Sequence, residues 1–250
     1  MCGIVGYIGR KNAVPFLIDG LKALEYRGYD SAGIYVAGQG VVKRAGKVGV
    51  LAISLPDTFS GNAGIAHTRW ATHGPPTERN AHPHTDASQT VWIVHNGIIE
   101  NYAELRDALT RRGIVFNSDT DTEVLAQLIG MYHTKDIPLE DAVERALKDV
   151  RGSYGLAVMS RREPDKIVVA RLGSPLMLGV GTNEYYVASD AAALLPRTRT
   201  VVYLDDGELV VLTKKGYTVR DVSRQPITKT VETLEWDAEA AQKGALSILC

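Results

Sequence analysis

Cysteine is nearly absent from this chain. The two it has, Cys2 and Cys250, stand at opposite ends of 250 residues. That leaves no disulfide framework and no C-x-x-C pair for a metal or redox centre, and a bridge between the two is disfavoured in a reducing compartment. Metal-binding patterns are missing as well: five of the six histidines, His67, His73, His82, His84 and His95, fall between positions 67 and 95, but their spacing matches no H-E-x-x-H arrangement, so no metal site is read. Neither sign of charge dominates, with 28 basic residues against 29 acidic ones and no long run of either. This argues against nucleic acid and against a polybasic membrane surface. No apolar stretch approaches the roughly 18 residues of a membrane-spanning helix. At the N-terminus no charged segment precedes the apolar residues, because Arg10 and Lys11 follow them, and no small-residue cleavage site is present. A cytoplasmic protein is expected. With no internal repeat and no low-complexity linker, 250 residues read as one domain large enough for a full core.

Hydrophobic periodicity supplies the elements. Cys2 to Gly9 reads as a buried strand closed by a turn at Gly9–Asn12, and Val14, Leu17, Leu21 and Leu24 give a helix from about 13 to 26 that Gly28 stops. A hairpin over 31–43 and a short helix over 47–55 follow. Gly64 to Trp70 reads as a strand running into residues 71–86, a stretch with Gly74, Pro75, Pro76 and Pro83 that excludes extended regular structure and suits a functional lid. Thr90 to His95 reads as a strand ending at Asn96-Gly97. Helices are expected over 99–112, 121–132 and 139–150. The last third is a succession of short β-branched strands at 155–159, 167–170, 176–180, 185–188, 200–204, 208–212 and 218–222. Two antiparallel sheets packed together with helices outside satisfy this order better than a parallel sheet.

Cys2 and four clusters could carry chemistry. Once Met1 is removed, Cys2 holds both a thiol, with an ordinary pKa of about 8.5, and an α-amine, at about 7.7 to 8.0. The amine can then accept the thiol proton and generate a nucleophilic thiolate. From position alone Cys2 equally suits a small buried strand residue. Glu25 to Gly33 places Arg27 at a helix C-terminus, where the dipole favours a cation. His67 to Gly74 places Arg69 at a strand exit, where a guanidinium can pair with a carboxylate, though a surface arginine beside Trp70 fits as well. In His95-Asn96-Gly97 the Asn amide and the glycine N–H are two donors that could converge on an oxyanion, while Asn-Gly is also a frequent hairpin turn. Ser118 to Glu123 has a capping-box signature before a helix. Asp121 there could also bind an ammonium group.

Together these clusters resemble one family. Cys2-Gly3-Ile4-Val5-Gly6, EYRGYDSAG at 25–33, HTRWATHG at 67–74, NAHPH at 80–84, HNGIIEN at 95–101 and SDTDTEV at 118–124 resemble, in order, the glutaminase domain of the class II, N-terminal-nucleophile glutamine amidotransferases. EYRGYDSAG and HTRWATHG resemble the branch that makes amino sugars more than the branches acting on phosphoribosyl pyrophosphate or aspartate. The resemblance implies an α+β fold, a four-layer αββα sandwich of two antiparallel sheets. It implies Cys2 as nucleophile with its α-amine as base, Asn96 and Gly97 as oxyanion hole, and Arg69 and Asp121 on the α-carboxylate and α-ammonium of L-glutamine. Thr72 and His73 would complete the pocket, Arg27 would support the Cys2 terminus, and Trp70 and His82 would lie in or beside the closing loop. No cofactor and no metal are implied. The expected activity is hydrolysis of glutamine to glutamate and ammonia, and the expected partner is an ammonia-accepting synthase/isomerase domain. The resemblance runs to about residue 240; residues 241–250 read as a tail, with the isomerase domain absent from these residues. The rival readings are another N-terminal-cysteine amidase and a catalytically silent glutamine-binding domain.

Overall fold

A computed structural model describes residues 2–70, 74–221 and 224–234. The first part of the chain holds β1 (Gly3–Ile8), α1 (Ala13–Ala23), β2 (Ser31–Val36), β3 (Gly40–Ala45), α2 (Val48–Ile53), β4 (Ala63–Arg69), β5 (His84–Thr85) and β6 (Val91–Ile99). Three helices come next: α3 (Tyr102–Arg111), α4 (Asp121–Tyr132) and α5 (Leu139–Asp149). The remainder is β-structure, with β7 (Gly152–Ser160), β8 (Lys166–Leu172), β9 (Met177–Gly181), β10 (Glu184–Ala188), β11 (Thr200–Tyr203), β12 (Leu209–Thr213), β13 (Gly216–Arg220), β14 (Pro226–Ile227) and β15 (Glu232–Thr233).

The strands form an eight-stranded sheet in the order β15-β11-β9-β10-β1-β4-β2-β3 and a seven-stranded sheet in the order β14-β13-β12-β8-β7-β6-β5. All the strand pairs in both are antiparallel. Side-chain alternation builds three cores from these two sheets. In β1, Ile4 and Ile8 enter the core between the sheets with Trp92, Val94, Ala157 and Val169, while Val5 and Tyr7 enter the outer core beneath α1 with Phe16, Leu17 and Leu21. In β6 and β7, Ile93, Leu156 and Val158 face a third core with Val124, Leu125 and Ile129 of α4 and Val143 and Ala146 of α5. Helices therefore cover both outer faces, giving the expected αββα sandwich. It also explains why β1 reads as a continuous apolar run although its neighbours are antiparallel: both its faces are buried.

The elements named from the sequence are found within a few residues of their expected limits; the two-residue strands β14 and β15 are not among them, and two limits differ. The helix at 13–26 ends at Ala23 and passes into a 3₁₀ turn over Glu25–Arg27. More consequentially, β6 does not end at Asn96-Gly97. It runs on to Ile99, with Asn96 opposite Gly155 and Gly97 opposite Tyr154. Asn-Gly makes a hairpin turn only where the flanking strands pair with each other; at these residues the partner of β6 is β7, across three intervening helices. Gly97 instead sits in the strand at φ 127°, and a Cβ there would lie 2.1 Å from the Ser153 carbonyl oxygen. The segment after β4, expected to be irregular, carries a 3₁₀ turn at Glu78–Asn80 and the two-residue strand β5. The expected strand end at Val222 lies outside the described residues. Among the described residues, no helix is long and apolar enough to cross a membrane.

Candidate active site

Cys2 immediately precedes β1, a central strand held between β4 and β10, and the pairing of Gly3 with Thr68 brings it beside Arg69 and Trp70. The Cys2 thiol accepts the Trp70 backbone N–H at 3.3 Å. Burial pushes this thiol above its ordinary value, opposed by that N–H and by the positive charges of Arg69 and Arg27. A thiol so placed ionises only with help from a nearby base or cation.

The seven-stranded sheet delivers Asn96. Its side-chain nitrogen donates to the Cys2 carbonyl at 3.1 Å, and its side-chain oxygen lies 3.0 Å from Nε2 of His67 on β4. One amide thus bridges both sheets beside the cysteine. Gly97 follows on the same strand.

Arg69 is 4 % exposed, with its guanidinium donating to the carbonyls of Gly74 at 3.4 Å and Pro75 at 3.3 Å. Burial depresses its pKa, and the negative charges of Cys2, Asp121 and Asp30 oppose the shift. Asp121, 7 % exposed, opens α4 and accepts the Ile99 N–H at 2.9 Å, so the same carboxylate secures the end of the strand that carries Asn96 and Gly97. The capping role expected for this region falls to Thr120, whose hydroxyl accepts the Glu123 N–H at 3.3 Å. The reciprocal bond of a capping box is absent: Glu123 accepts instead from the N–H groups of Asn117, at 2.7 Å, and Ser118. Arg69 thus feels both the cysteine and the buried carboxylate of Asp121.

Arg27 pairs with Asp190 at 2.6 Å and reaches the Ser189 carbonyl at 3.5 Å. Ser189 in turn accepts the Ile4 N–H on its hydroxyl at 3.0 Å, which links Arg27 to the start of β1. Ser189 and Asp190 carry no local signal in the sequence, since their partners lie more than 160 residues away. Gly28 allows the turn after α1 to approach: a Cβ there would be 2.8 Å from the Trp70 nitrogen. Trp70 is 46 % exposed and meets Tyr29 edge-on at 5.9 Å, lining the mouth of the site. His82 is buried, stacked on His67 at 4.1 Å, so it underlies the site rather than rimming it. Thr72 and His73 lie outside the described residues.

The segment after the strand exit is tied to the turn that precedes α4. Asn80 donates to the Pro75 carbonyl at 3.1 Å and accepts the Asp119 N–H at 3.0 Å, and Arg79 pairs with Asp119 at 3.0 Å. No cluster of three or more His, Cys, Asp or Glu placed to hold a metal occurs among the described residues.

An αββα sandwich with a cysteine at the head of a central strand defines the N-terminal-nucleophile class of amidotransferase. The solved structure of glutamine phosphoribosylpyrophosphate amidotransferase from B. subtilis, complexed with ADP and GMP, matches at a TM-score of 0.75 and 26 % identity over 90 % of this chain and 50 % of that one. A glutamine aminotransferase class-II domain protein from Silicibacter pomeroyi shares the fold, with a TM-score of 0.58 at 14 % identity over 88 % of this chain and 99 % of that one. A family model described as a glutamine amidotransferase domain matches residues 57–242, and the chain belongs to that family. Its relatives include proteins named glutamine--fructose-6-phosphate aminotransferase [isomerizing]. The one from Chlorobaculum tepidum is 50 % identical over 98 % of this chain and 41 % of its own length, and the one from Symbiobacterium thermophilum 51 % identical over 98 % and 40 %. The chain spans about two fifths of the length of these relatives.

Proposed function

We propose that this chain hydrolyses L-glutamine to glutamate and ammonia, as the glutaminase part of an enzyme that transfers glutamine nitrogen to fructose 6-phosphate. The observation that carries the reading is the Asn96 amide donating to the Cys2 carbonyl at 3.1 Å beside a buried cation, Arg69, whose field includes both Cys2 and the buried carboxylate of Asp121. A zwitterionic amino acid requires a fixed pair of opposite charges, and acyl transfer to a thiol requires donors for an oxyanion.

With Met1 removed, the Cys2 α-amine takes the thiol proton, and the thiolate attacks the side-chain amide carbon of glutamine. The resulting oxyanion is held by the second N–H of the Asn96 amide and by the Gly97 N–H; in a preorganised site one such donor supplies about 3 kcal/mol of transition-state stabilisation. Collapse transfers the proton to the leaving nitrogen, breaks the carbon–nitrogen bond and releases ammonia, leaving a γ-glutamyl thioester. Water, deprotonated by the same amine, cleaves the thioester to glutamate and restores the thiol. Arg69 orients the substrate α-carboxylate and Asp121 its α-ammonium, with Thr72 and His73 closing the pocket. Arg27, through Ser189, fixes where the nucleophile stands. Residues 1–240 form the glutaminase unit in this reading. The ammonia is used by a synthase/isomerase domain of the kind that the relatives' names imply, and the site of action is the cytoplasm.

The test is ammonia release from glutamine by the processed chain, with intact mass establishing that Met1 is gone. Cys2→Ala abolishes release while the unfolding transition stays within about 0.5 kcal/mol, because a partly exposed side chain is lost. Ammonia release surviving in that variant overturns the assignment. Turnover of a different amide in preference to glutamine also overturns it, in favour of another terminal-cysteine amidase.

A further inference from the structure

Beneath the site lie four buried histidines, His67, His82, His84 and His95. Burial depresses the pKa of each, that of His67 to about 3, so all four rings are neutral at physiological pH and each carries one proton on one nitrogen. The proposed chemistry uses none of them as acid or base. Hydrogen bonds to backbone groups fix where two of those protons sit. His95 donates from Nε2 to the Ser153 carbonyl at 3.4 Å and accepts the Thr122 hydroxyl on Nδ1 at 3.0 Å. His82 accepts the His95 backbone N–H on Nδ1 at 3.3 Å, which leaves its proton on Nε2. His67 Nε2 faces the Asn96 side-chain oxygen at 3.0 Å, and its Nδ1 makes no well-aligned hydrogen bond, the His95 backbone offering at most a weak one.

We infer that His67, in the tautomer protonated at Nε2, is the positioning residue that fixes the orientation of the Asn96 amide. The inference rests on the reading of Asn96 as an oxyanion donor. The two ends of a primary amide are nearly the same shape, so packing alone does not choose between them. Hydrogen bonding does. With the proton on Nε2, His67 donates to Oδ1 of Asn96, and Nδ2 then points at the Cys2 carbonyl and the reacting centre. The opposite tautomer has one attraction, since the backbone of His95 weakly favours a proton on the ring. It leaves a bare lone pair at Nε2, however, and the amide must turn round to satisfy it. Oδ1 would then sit against the Cys2 carbonyl oxygen at about the present 3.1 Å, two acceptors face to face. The turn also replaces an oxyanion donor with an acceptor. Two hydrogen bonds are made in the first arrangement and at most two poorer ones, with an added repulsion, in the second. The stack of His82 on His67 at 4.1 Å holds the ring plane, so the ring cannot swing away to avoid the choice.

Two substitutions separate the donor from the ring. His67→Phe keeps an aromatic ring against His82 and removes the N–H, whereas His67→Gln removes the ring and places an amide N–H at about the position of Nε2. With the amide free to turn, His67→Phe lowers kcat for ammonia release by about 10- to 100-fold, short of the 10²- to 10³-fold that follows complete loss of an oxyanion donor. KM for glutamine changes less than about 3-fold, because substrate charges are held by other residues. His67→Gln recovers kcat to within about 5-fold of the parent. A role in packing alone predicts the reverse order, with Phe tolerated and Gln damaging, and that order overturns the inference. An activity-independent readout distinguishes this failure from failure of the glutaminase reading: ¹⁵N shifts of the His67 ring report which nitrogen bears the proton. Protonation at Nε2, with slowly exchanging Asn96 side-chain amide protons that lose protection in His67→Phe, supports the positioning role even if glutamine proves not to be the substrate. Protonation at Nδ1 overturns it whatever the substrate.

Discussion

Asp121→Asn is the substitution that best separates ligand binding from architecture. The carboxylate has two duties: it accepts the Ile99 N–H at 2.9 Å and sits at the first turn of α4, and it is read as the partner of the substrate α-ammonium. Asparagine is nearly isosteric and keeps an acceptor for Ile99, so folding loses chiefly a negative charge at a helix N-terminus, about 0.3 to 1 kcal/mol. Glutamine binding loses a hydrogen bond between two full charges, worth about 1.5 to 3 kcal/mol, or roughly 10- to 150-fold in affinity. The ligand effect therefore exceeds the folding effect, and it falls on KM while kcat stays within a few-fold. The assay is steady-state ammonia release from glutamine and from its analogue lacking the α-amine, alongside urea unfolding. The parent chain prefers glutamine over the analogue by about the factor that the substitution removes, and the variant handles both alike. An unchanged KM, or a variant that still prefers glutamine by the full factor, refutes the ion pair and returns Asp121 to a purely architectural role.

Two further outcomes follow from the geometry. Gly97→Ala places a Cβ 2.1 Å from the Ser153 carbonyl oxygen at a φ of 127°, so the β6–β7 ladder must shift; chemical denaturation records a loss of at least about 2 kcal/mol, and ammonia release falls with it. For pH dependence, the folded-state pKa of His67, about 3, lies below its unfolded value near 6.5. The unfolded chain therefore binds the extra proton between these limits, and stability is lost as pH falls through that window. Lowering pH from 7 to 5 removes at most about 2 kcal/mol for this ring, and unfolding curves at the two pH values record a smaller loss in His67→Phe. An equal loss in the variant shows that His67 is not among the groups responsible.

Much of the fold was legible because its elements announce themselves locally. Val14, Leu17, Leu21 and Leu24 mark α1, and the β-branched runs after residue 152 mark the strands, each displaced by a residue or two where pairing rather than composition sets the limit. The layering was inferred from element order and then visible in the alternation of Ile4 and Ile8 against Val5 and Tyr7. What local pattern could not supply was the identity of strand partners. Asn96-Gly97 has the composition of a hairpin turn, and only the pairing of β6 with β7 makes it mid-strand. For the site, a family resemblance named the residues, whereas their chemistry alone left each of them with an ordinary structural alternative. His67 was visible as the first residue of HTRWATHG and as one of a group of histidines unsuited to a metal, with no role of its own. Its partner Asn96 lies 29 residues on, in the other sheet, a distance at which no spacing rule operates. Ser189 and Asp190 were invisible for the same reason.

The place of β1 between β4 and β10 also sets a timetable. Translation reaches Cys2 before either neighbour of its strand: β1 is flanked on one side by Ala63–Arg69 and on the other by Glu184–Ala188, so its second neighbour does not exist until Ala188 has been added. Pairings this distant in sequence close late and slowly. The nascent polypeptide thus carries Cys2 beside a strand that still lacks one of its two neighbours long after Arg69 and Asn96 have been made. Catalytic competence is in this sense a certificate of long-range folding, issued only when β1 has been enclosed by a strand about 180 residues further on.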